Sequence, residues 1–421
     1  MLVETIKLGS ERSWLVTLCD SVSLRLTARL IALLLFTCAF GVVPTAFAQA
    51  KPDRDYLVYV LSEAADKISL VRFGPSGAHV DRELPTGDMP VDIDGPHGIA
   101  VSRDQNSYFV SLAHGRPFGS VWKYSTKDDR VLGRVRLGLF PATMDLNSDG
   151  SLLYVVNFNL HGDMEPSSVS VVATGPMLEV ARIPTCAMPH GSRLNPQGTK
   201  HYSACMMDDM LVEIDTQSLK VSRHFLLTKG RAVGVDGPIK TAVTTKPPTT
   251  AGHKHSDKID VGGHGMEPPK AGDSSCSPTW AQPSVKGSSI FVACNKSSEI
   301  VEVDAAKWIV VRRIPARAGV YNLAVTKDGT RLLATNKRDQ SVTIVDLKSG
   351  AELARIPTRR SVLHGVVVSP DDRYAFVSVE GVGAEPGTVE IIDLSTRKIV
   401  ASVDVAAEAA GLDFFRTEPA K

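Results

Sequence analysis

Three histidine–glycine pairs recur along the chain: Gly95-Pro96-His97-Gly98, Met188-Pro189-His190-Gly191 and Val362-Leu363-His364-Gly365. Each opens a short apolar run that ends in a turn such as Ser369-Pro370-Asp371-Asp372. Aligning the turns puts the three histidines on one repeat position, so one slot of an array repeatedly carries a titratable, metal-ligating side chain. Imidazole suits copper, zinc or iron, and a ring of imidazoles from separate strands makes a preorganised, partly open site. His114 and His161 follow the next strands of their repeats and should face the same end, as should Met206, Met207, Asp208 and Asp209. Five of the 11 histidines then converge. His97, His190, His364, His114 and His161 are the candidate metal ligands, and nearby methionine biases them toward copper over other divalent ions.

Other features oppose a metal. The equivalent slots hold Ala142, Thr279 and Tyr321, and no H-x-x-x-H pair occurs. A histidine–glycine pair at a strand entry also serves simply to cap a turn. Glu165 and Glu385 sit in two near-copies, Gly162-Asp163-Met164-Glu165-Pro166 and Gly383-Ala384-Glu385-Pro386-Gly387, where a general base and a turn residue read alike. There is no G-x-S-x-G elbow, P-loop or G-x-G-x-x-G fingerprint. Without C-x-x-C-H, covalent c-type haem is excluded, while noncovalent haem d1 or a quinone stays open.

The elements that must position these residues are short strands. Gly98 to Asp104, Ser107 to Leu112, Ser120 to Tyr124 and Val131 to Leu137 make one unit of four strands separated by Gly/Asp/Pro turns. Similar units start near residues 97, 142, 190, 279, 321 and 364. Four strands per roughly 40–50 residues is the pattern of a propeller blade, not of a helical solenoid. Three unpartnered strands precede the units (Tyr56 to Leu61, Lys67 to Phe73, His79 to Leu84) and one follows (Gly411 to Phe415). Joined, they make a seventh blade and remove two open sheet edges. The predicted fold is all-β: a seven-bladed β-propeller of four-stranded blades, closed by the N-terminal strands plus the C-terminal strand, over residues 51–421.

The segment 230–275 breaks the period. It is rich in Gly, Pro, Thr, Lys and His and has no hydrophobic repeat, so it reads as an inserted loop. Its His253, His255 and His264 read as a metal-catching loop or as a polar linker that happens to hold histidines.

The units resemble the YVTN-type, YncE-like seven-bladed propellers of exported bacterial proteins. The resemblance rests on LLYVVN (Leu152 to Asn157), FVACN (Phe291 to Asn295), LLATN (Leu332 to Asn336) and the VSPDD-like turns. Broader relatives include cytochrome d1-type propeller domains. In this group the fold is far more uniform than the activity, so the resemblance implies architecture more than chemistry.

Arg25 and Arg29 precede the apolar run Leu30 to Val43, followed by Pro44 and Ala46-Phe47-Ala48-Gln49-Ala50. A charged flank, an apolar stretch and an A-x-A-like end read as a secretory signal over residues 1–50, with a periplasmic or secreted product and no transmembrane segment in the mature chain. The remaining cysteines are Cys186, Cys205, Cys276 and Cys294. An even count in an exported protein favours disulfides. Each pair straddles a hairpin turn, which predicts Cys186–Cys205 and Cys276–Cys294. The alternative makes Cys205 and Cys294 thiolate ligands beside His190. A net charge of +1 removes any case for nucleic acid, since no basic stripe exists to neutralise phosphates. The leading expectation is an exported binding or scaffold propeller whose channel mouth takes a protein partner or small molecule. The second is a copper-dependent oxidoreductase using the mouth histidines.

Overall fold

The structure, a computed structural model, describes residues 51–89, 92–114, 117–160, 165–238 and 275–421. The predicted signal segment, His161 and the histidines of the insertion lie outside these residues. Among the described residues the chain forms seven antiparallel sheets and no helix. Blades 2 to 7 span residues 96–136, 141–187, 189–236, 278–315, 320–357 and 363–405. Blade 1 is made of Arg54–Ser62, Lys67–Gly74 and Gly77–Pro85, with Ala409–Pro419 as its inner strand. That last strand pairs antiparallel with Arg54–Ser62 and closes the ring as predicted.

Burial explains the strand sequences. Second strands such as Ser107–Leu112 and Tyr374–Val379 are buried at every position. Each lies in a sheet covered on both faces by neighbouring blades, so its apolar residues run continuously. Outer strands face solvent on one side and alternate, as in Gly77–Pro85 and Val131–Arg136.

The insertion differs from expectation at its start. Val233–Asp236 is a fifth strand of blade 4, paired with Lys220–Leu226. Four residues carry too few cycles of alternation to stand out in sequence. Gly234 is needed for the approach, since a Cβ there would lie 2.2 Å from the ring of Trp308. Asp209 anchors the other side of the insertion. Its carboxylate accepts hydrogen bonds from the Thr228 hydroxyl, the Ser275 hydroxyl and the backbone N–H groups of Ser275, Cys276 and Ser277.

Both predicted disulfides form, with Cα–Cα distances of 5.9 Å for Cys186–Cys205 and 4.5 Å for Cys276–Cys294. Cys186 lies in Leu178–Ala187, the outer strand of blade 3, so the first bridge ties two blades together. The thiolate-ligand alternative fails because both sulfurs are already bonded. Two disulfides mark an oxidising, extracytoplasmic compartment.

A seven-fold backbone device shapes the channel mouth. Gly95, Phe140, Met188, Ser277, Gly319, Val362 and Glu408 all adopt positive φ, two residues before the same slot of the inner strand. The carbonyl of each accepts the N–H of the residue just after a second strand, from Glu63 to Glu380. Hydroxyls then stitch the blades together: Ser111 accepts from Gly98 N–H at 2.8 Å and donates to the Ala142 carbonyl at 3.0 Å.

The glycine of each His–Gly pair belongs to this packing. A Cβ on Gly98 would lie 1.9 Å from the Ala142 carbonyl oxygen, and one on Gly191 would lie 2.3 Å from that of Thr279. Backbone of the next blade cannot yield as a flexible side chain would. Gly98→Ala is therefore expected to cost about 3 kcal/mol of stability, the upper range for overpacking. Urea unfolding followed by tryptophan fluorescence checks this, and a loss under 1 kcal/mol would show that the blades can separate there freely.

Candidate functional site

The slots created by that device hold His97, Ala142, His190, Thr279, Tyr321, His364 and Ala410. Four of them form a closed circuit of rings. Centroids are 6.0 Å apart for His97–His190, 5.3 Å for His190–Tyr321, 5.1 Å for Tyr321–His364 and 5.2 Å for His364–His97. The three histidines predicted to converge do so, and all are buried. Phe140 abuts His97 and Phe158 abuts His190, walling off one side.

Hydrogen bonds set the tautomers. His190 Nδ1 lies 2.9 Å from the Thr279 carbonyl and must donate to it. Its Nε2 therefore accepts the Tyr321 hydroxyl at 3.0 Å. The Tyr321 oxygen in turn lies 3.4 Å from His364 Nε2, which donates to it. His97 Nδ1 donates to Glu63 Oε2 at 2.7 Å, and Glu63 Oε1 is 2.8 Å from His114 Nε2. Within the circuit two buried ring nitrogens have no hydrogen-bond partner: His97 Nε2 and His364 Nδ1.

Burial acts strongly on these groups. It pushes His190 down to about 3 and His364 well below the usual histidine range. Burial alone would raise Glu63, but the adjacent His97 and His114 win and hold its carboxyl well below the usual carboxylate range. The same Glu63 bond raises His114. Lys337, 2.7 Å from Glu380, sits 4.1 Å from the centroid of the Tyr321 ring. Glu408 is pushed up to about 7 by burial, with Glu63 and Glu380 adding repulsion.

A carboxyl raised in the folded state stabilises below its ordinary value of 4.5, and that contribution is lost as pH rises through about 7. Glu408→Gln should therefore match the parent at pH 5 and exceed it at pH 8. The gain stays under about 2 kcal/mol because Glu408 is partly solvated. Unfolding curves at the two pH values decide it, and an equal difference at both would contradict the assignment.

The other predicted residues do less. His114 lies outside the circuit, hydrogen-bonded to Glu63 and packed edge-on against Phe140. Met206 packs with Phe140, Phe158 and Met188. Asp208 accepts the Ala187 N–H. Glu385 accepts the Val382 N–H, as a turn residue does, and Glu165 is exposed. Among the described residues no group of three His, Cys, Asp or Glu side chains is arranged to hold a metal ion. Sequence reading missed Glu63, Lys337, Glu380 and Glu408. Glu63, Lys337 and Glu380 share one repeat position, just after a second strand, and that register was the available signal. A cavity of about 540 Å³ opens at the opposite end of the inner strands, among turns including Asn147, Asn195, Ser284 and Lys327. It contains none of this chemistry.

The family model of the cytochrome d1 haem domain matches residues 328–417. Among solved structures, the chain is similar to the Pseudomonas aeruginosa periplasmic gluconolactonase PpgL, at 16% identity over 86% of this chain and 99% of that one, TM-score 0.60. It is also similar to a putative 6-phosphogluconolactonase from Bacteroides fragilis (14%, 86% and 98%, 0.59) and to Kuenenia stuttgartiensis hydrazine synthase (21%, 74% and 80%, 0.53). No curated protein sequence matches. The chain is thus a seven-bladed propeller whose residues 328–417 match the cytochrome d1 haem-domain model, and at these identities the solved structures show the fold alone. A haem does not fit inside this mouth. The circuit of four rings is closed at centroid spacings of 5.1–6.0 Å, which leaves no slot for a macrocycle between them.

Proposed function

We propose that the chain is an exported propeller, acting in the periplasm or after secretion, that binds a small ligand in its channel mouth. One observation carries this reading. His97 Nε2 and His364 Nδ1 are buried without partners at the point where the blades converge. Leaving buried polar atoms unpaired costs roughly 1–3 kcal/mol each, a cost that a ligand would relieve. Burial of His97, His190 and His364 favours a small molecule over a flat protein surface. The predicted signal segment and the two disulfides support export.

Native mass spectrometry of the full chain, purified from an exporting host in the presence of a chelator, tests the reading. The expected result is a small-molecule adduct on the parent, or one formed from a metabolite panel, that is lost in a folded His97→Ala variant. No adduct under either condition, or an adduct retained by the variant, would overturn it.

A further inference from the structure

The cavity of about 540 Å³ at the end of the inner strands opposite the mouth has its own pattern of residues. Two residues beyond the inner strands of blades 2 to 6 stand Arg103, Ser148, Pro196, Val285 and Lys327, and all five line the cavity. One turn position of the repeat thus supplies this rim, as one strand position supplies the mouth. Residues that close those strands, Leu146, Leu194 and Val325 among them, add apolar walls. The volume falls within the range of small-molecule clefts, about 300–1,000 Å³, and leaves room for an organic body beyond a bare ion. Three charged side chains line the cavity, and only the two cations are unengaged. Asp145 accepts the Leu194 N–H at 2.8 Å on one carboxylate oxygen and the Leu146 N–H at 3.0 Å on the other. Arg193 and Arg103 both attract this carboxylate. Among the described residues the head groups of Arg103 and Lys327 make no hydrogen bond or ion pair, and both residues are exposed. Gln282, also in the lining, is held only by contacts of 3.5 and 3.2 Å within its own strand, so its amide can turn to a ligand.

We infer that this cavity is a second binding site, for a small organic anion carrying two carboxylates. Arg103 comes from blade 2 and Lys327 from blade 6, the two ends of the arc of five blades that lines the cavity. A ligand with two anionic groups engages both cations while its carbon chain lies on the apolar wall between them. The planar guanidinium of Arg103 can hold one carboxylate through two parallel hydrogen bonds, and the ammonium of Lys327 acts on the other as a point charge. Gln282 supplies a neutral donor and acceptor at the end of its strand. No bond is made or broken. The inference is independent of the reading of the mouth, because none of these residues belongs to the ring circuit or touches it.

Calorimetric titration of the full chain at neutral pH and low ionic strength with succinate, malate and 2-oxoglutarate gives the test. Saturable one-to-one binding of at least one of the three is expected. Arg103→Gln and Lys327→Gln each weaken it about fivefold, and the double variant weakens it more than either. Butyrate, which keeps the carbon chain of succinate but only one carboxylate, binds more weakly by a similar factor. Raising the ionic strength from about 0.01 to about 0.15 M shortens the screening length from about 30 Å to about 8 Å and weakens binding further. His97→Ala leaves the affinity unchanged, so failure of this site and failure of the mouth reading are told apart. No saturable binding of any of the three dicarboxylates, or affinity unaltered in the double variant, overturns the inference. Inorganic phosphate bound as tightly as the best dicarboxylate also overturns it, since the cavity would then select charge alone. Far-ultraviolet circular dichroism of each variant confirms that losses are not due to unfolding.

Discussion

Replacing Glu63 by alanine is expected to destabilise the folded propeller by about 3 kcal/mol near pH 5.5, because it breaks a buried charge cluster by removing one partner. Glu63 is 6% exposed, and its two oxygens are committed to His97 and His114. Alanine leaves the His97 Nδ1–H facing no acceptor in a site that water reaches poorly. The pH dependence is two-sided. The folded-state value of Glu63 is depressed, so its contribution is present above the ordinary value of 4.5 and is lost as pH falls through the lowered one. The folded-state value of His114 is raised, so its contribution is present below 6.5 and is lost as pH rises through the raised one. The gap between parent and variant is therefore widest between about pH 4.5 and 6.5 and narrows toward both acid and base. Urea unfolding at intervals from pH 3 to 9 maps this gap. A gap that is constant with pH, or below 1 kcal/mol at its widest, would show that Glu63 is not ionised against these histidines.

The sequence carried the fold well because each blade writes its pattern independently. Units such as LLYVVN and LLATN repeat the same strand, and the shared turns fix their phase. That phase placed His97, His190 and His364 on one ring before any coordinates. Cys276–Cys294 was legible for a similar reason, since a hairpin turn brings its two strands into register. Cys186 was less so, because it ends an outer strand of one blade and crosses to the next. Glu63 was obscured because it belongs to the composite first blade, where the inner strand is supplied from residues 409–419 and no His–Gly pair signals the slot. Tyr321 was placed in the correct slot, but its hydroxyl matters only through His190 and His364, which are 131 and 43 residues away. The positive φ values at Phe140 and Val362 could not be read from residue type, because aromatic and β-branched residues disfavour that region. The hydrogen-bonded convergence of seven blades enforces them.

Removing either disulfide by paired Cys→Ala substitution should cost about 3 kcal/mol, and removing both about twice that, since the closed loops span separations of 19 and 18 residues. The two losses arise by different routes. For Cys276–Cys294 the native segment stays anchored, because Asp209 still accepts from Ser275, Cys276 and Ser277. Its loss therefore acts chiefly through the unfolded chain, which regains the entropy of the open loop. Cys186–Cys205 joins two blades that otherwise meet through apolar packing of Tyr154, Val171, Ile183, Val212 and Ile214 and through the hydrogen bonds from Ala187 N–H to Asp208 and from Leu194 N–H to Asp145. Its loss also lets the outer strand of blade 3 separate from blade 4, so native-state amide exchange should quicken locally there. Equilibrium unfolding of the two single-bridge variants and the double, with amide exchange on each, separates these routes. Faster exchange at residues 275–294 than at 178–187 would reverse the assignment. The distinction bears on the mouth, because His190 lies between Cys186 and Cys205 in the chain while Thr279, which fixes its tautomer, lies between Cys276 and Cys294. Each bridge thus closes a loop carrying one partner of the His190–Thr279 hydrogen bond. A cell that fails to oxidise them would be expected to yield a propeller whose mouth is the first region to loosen.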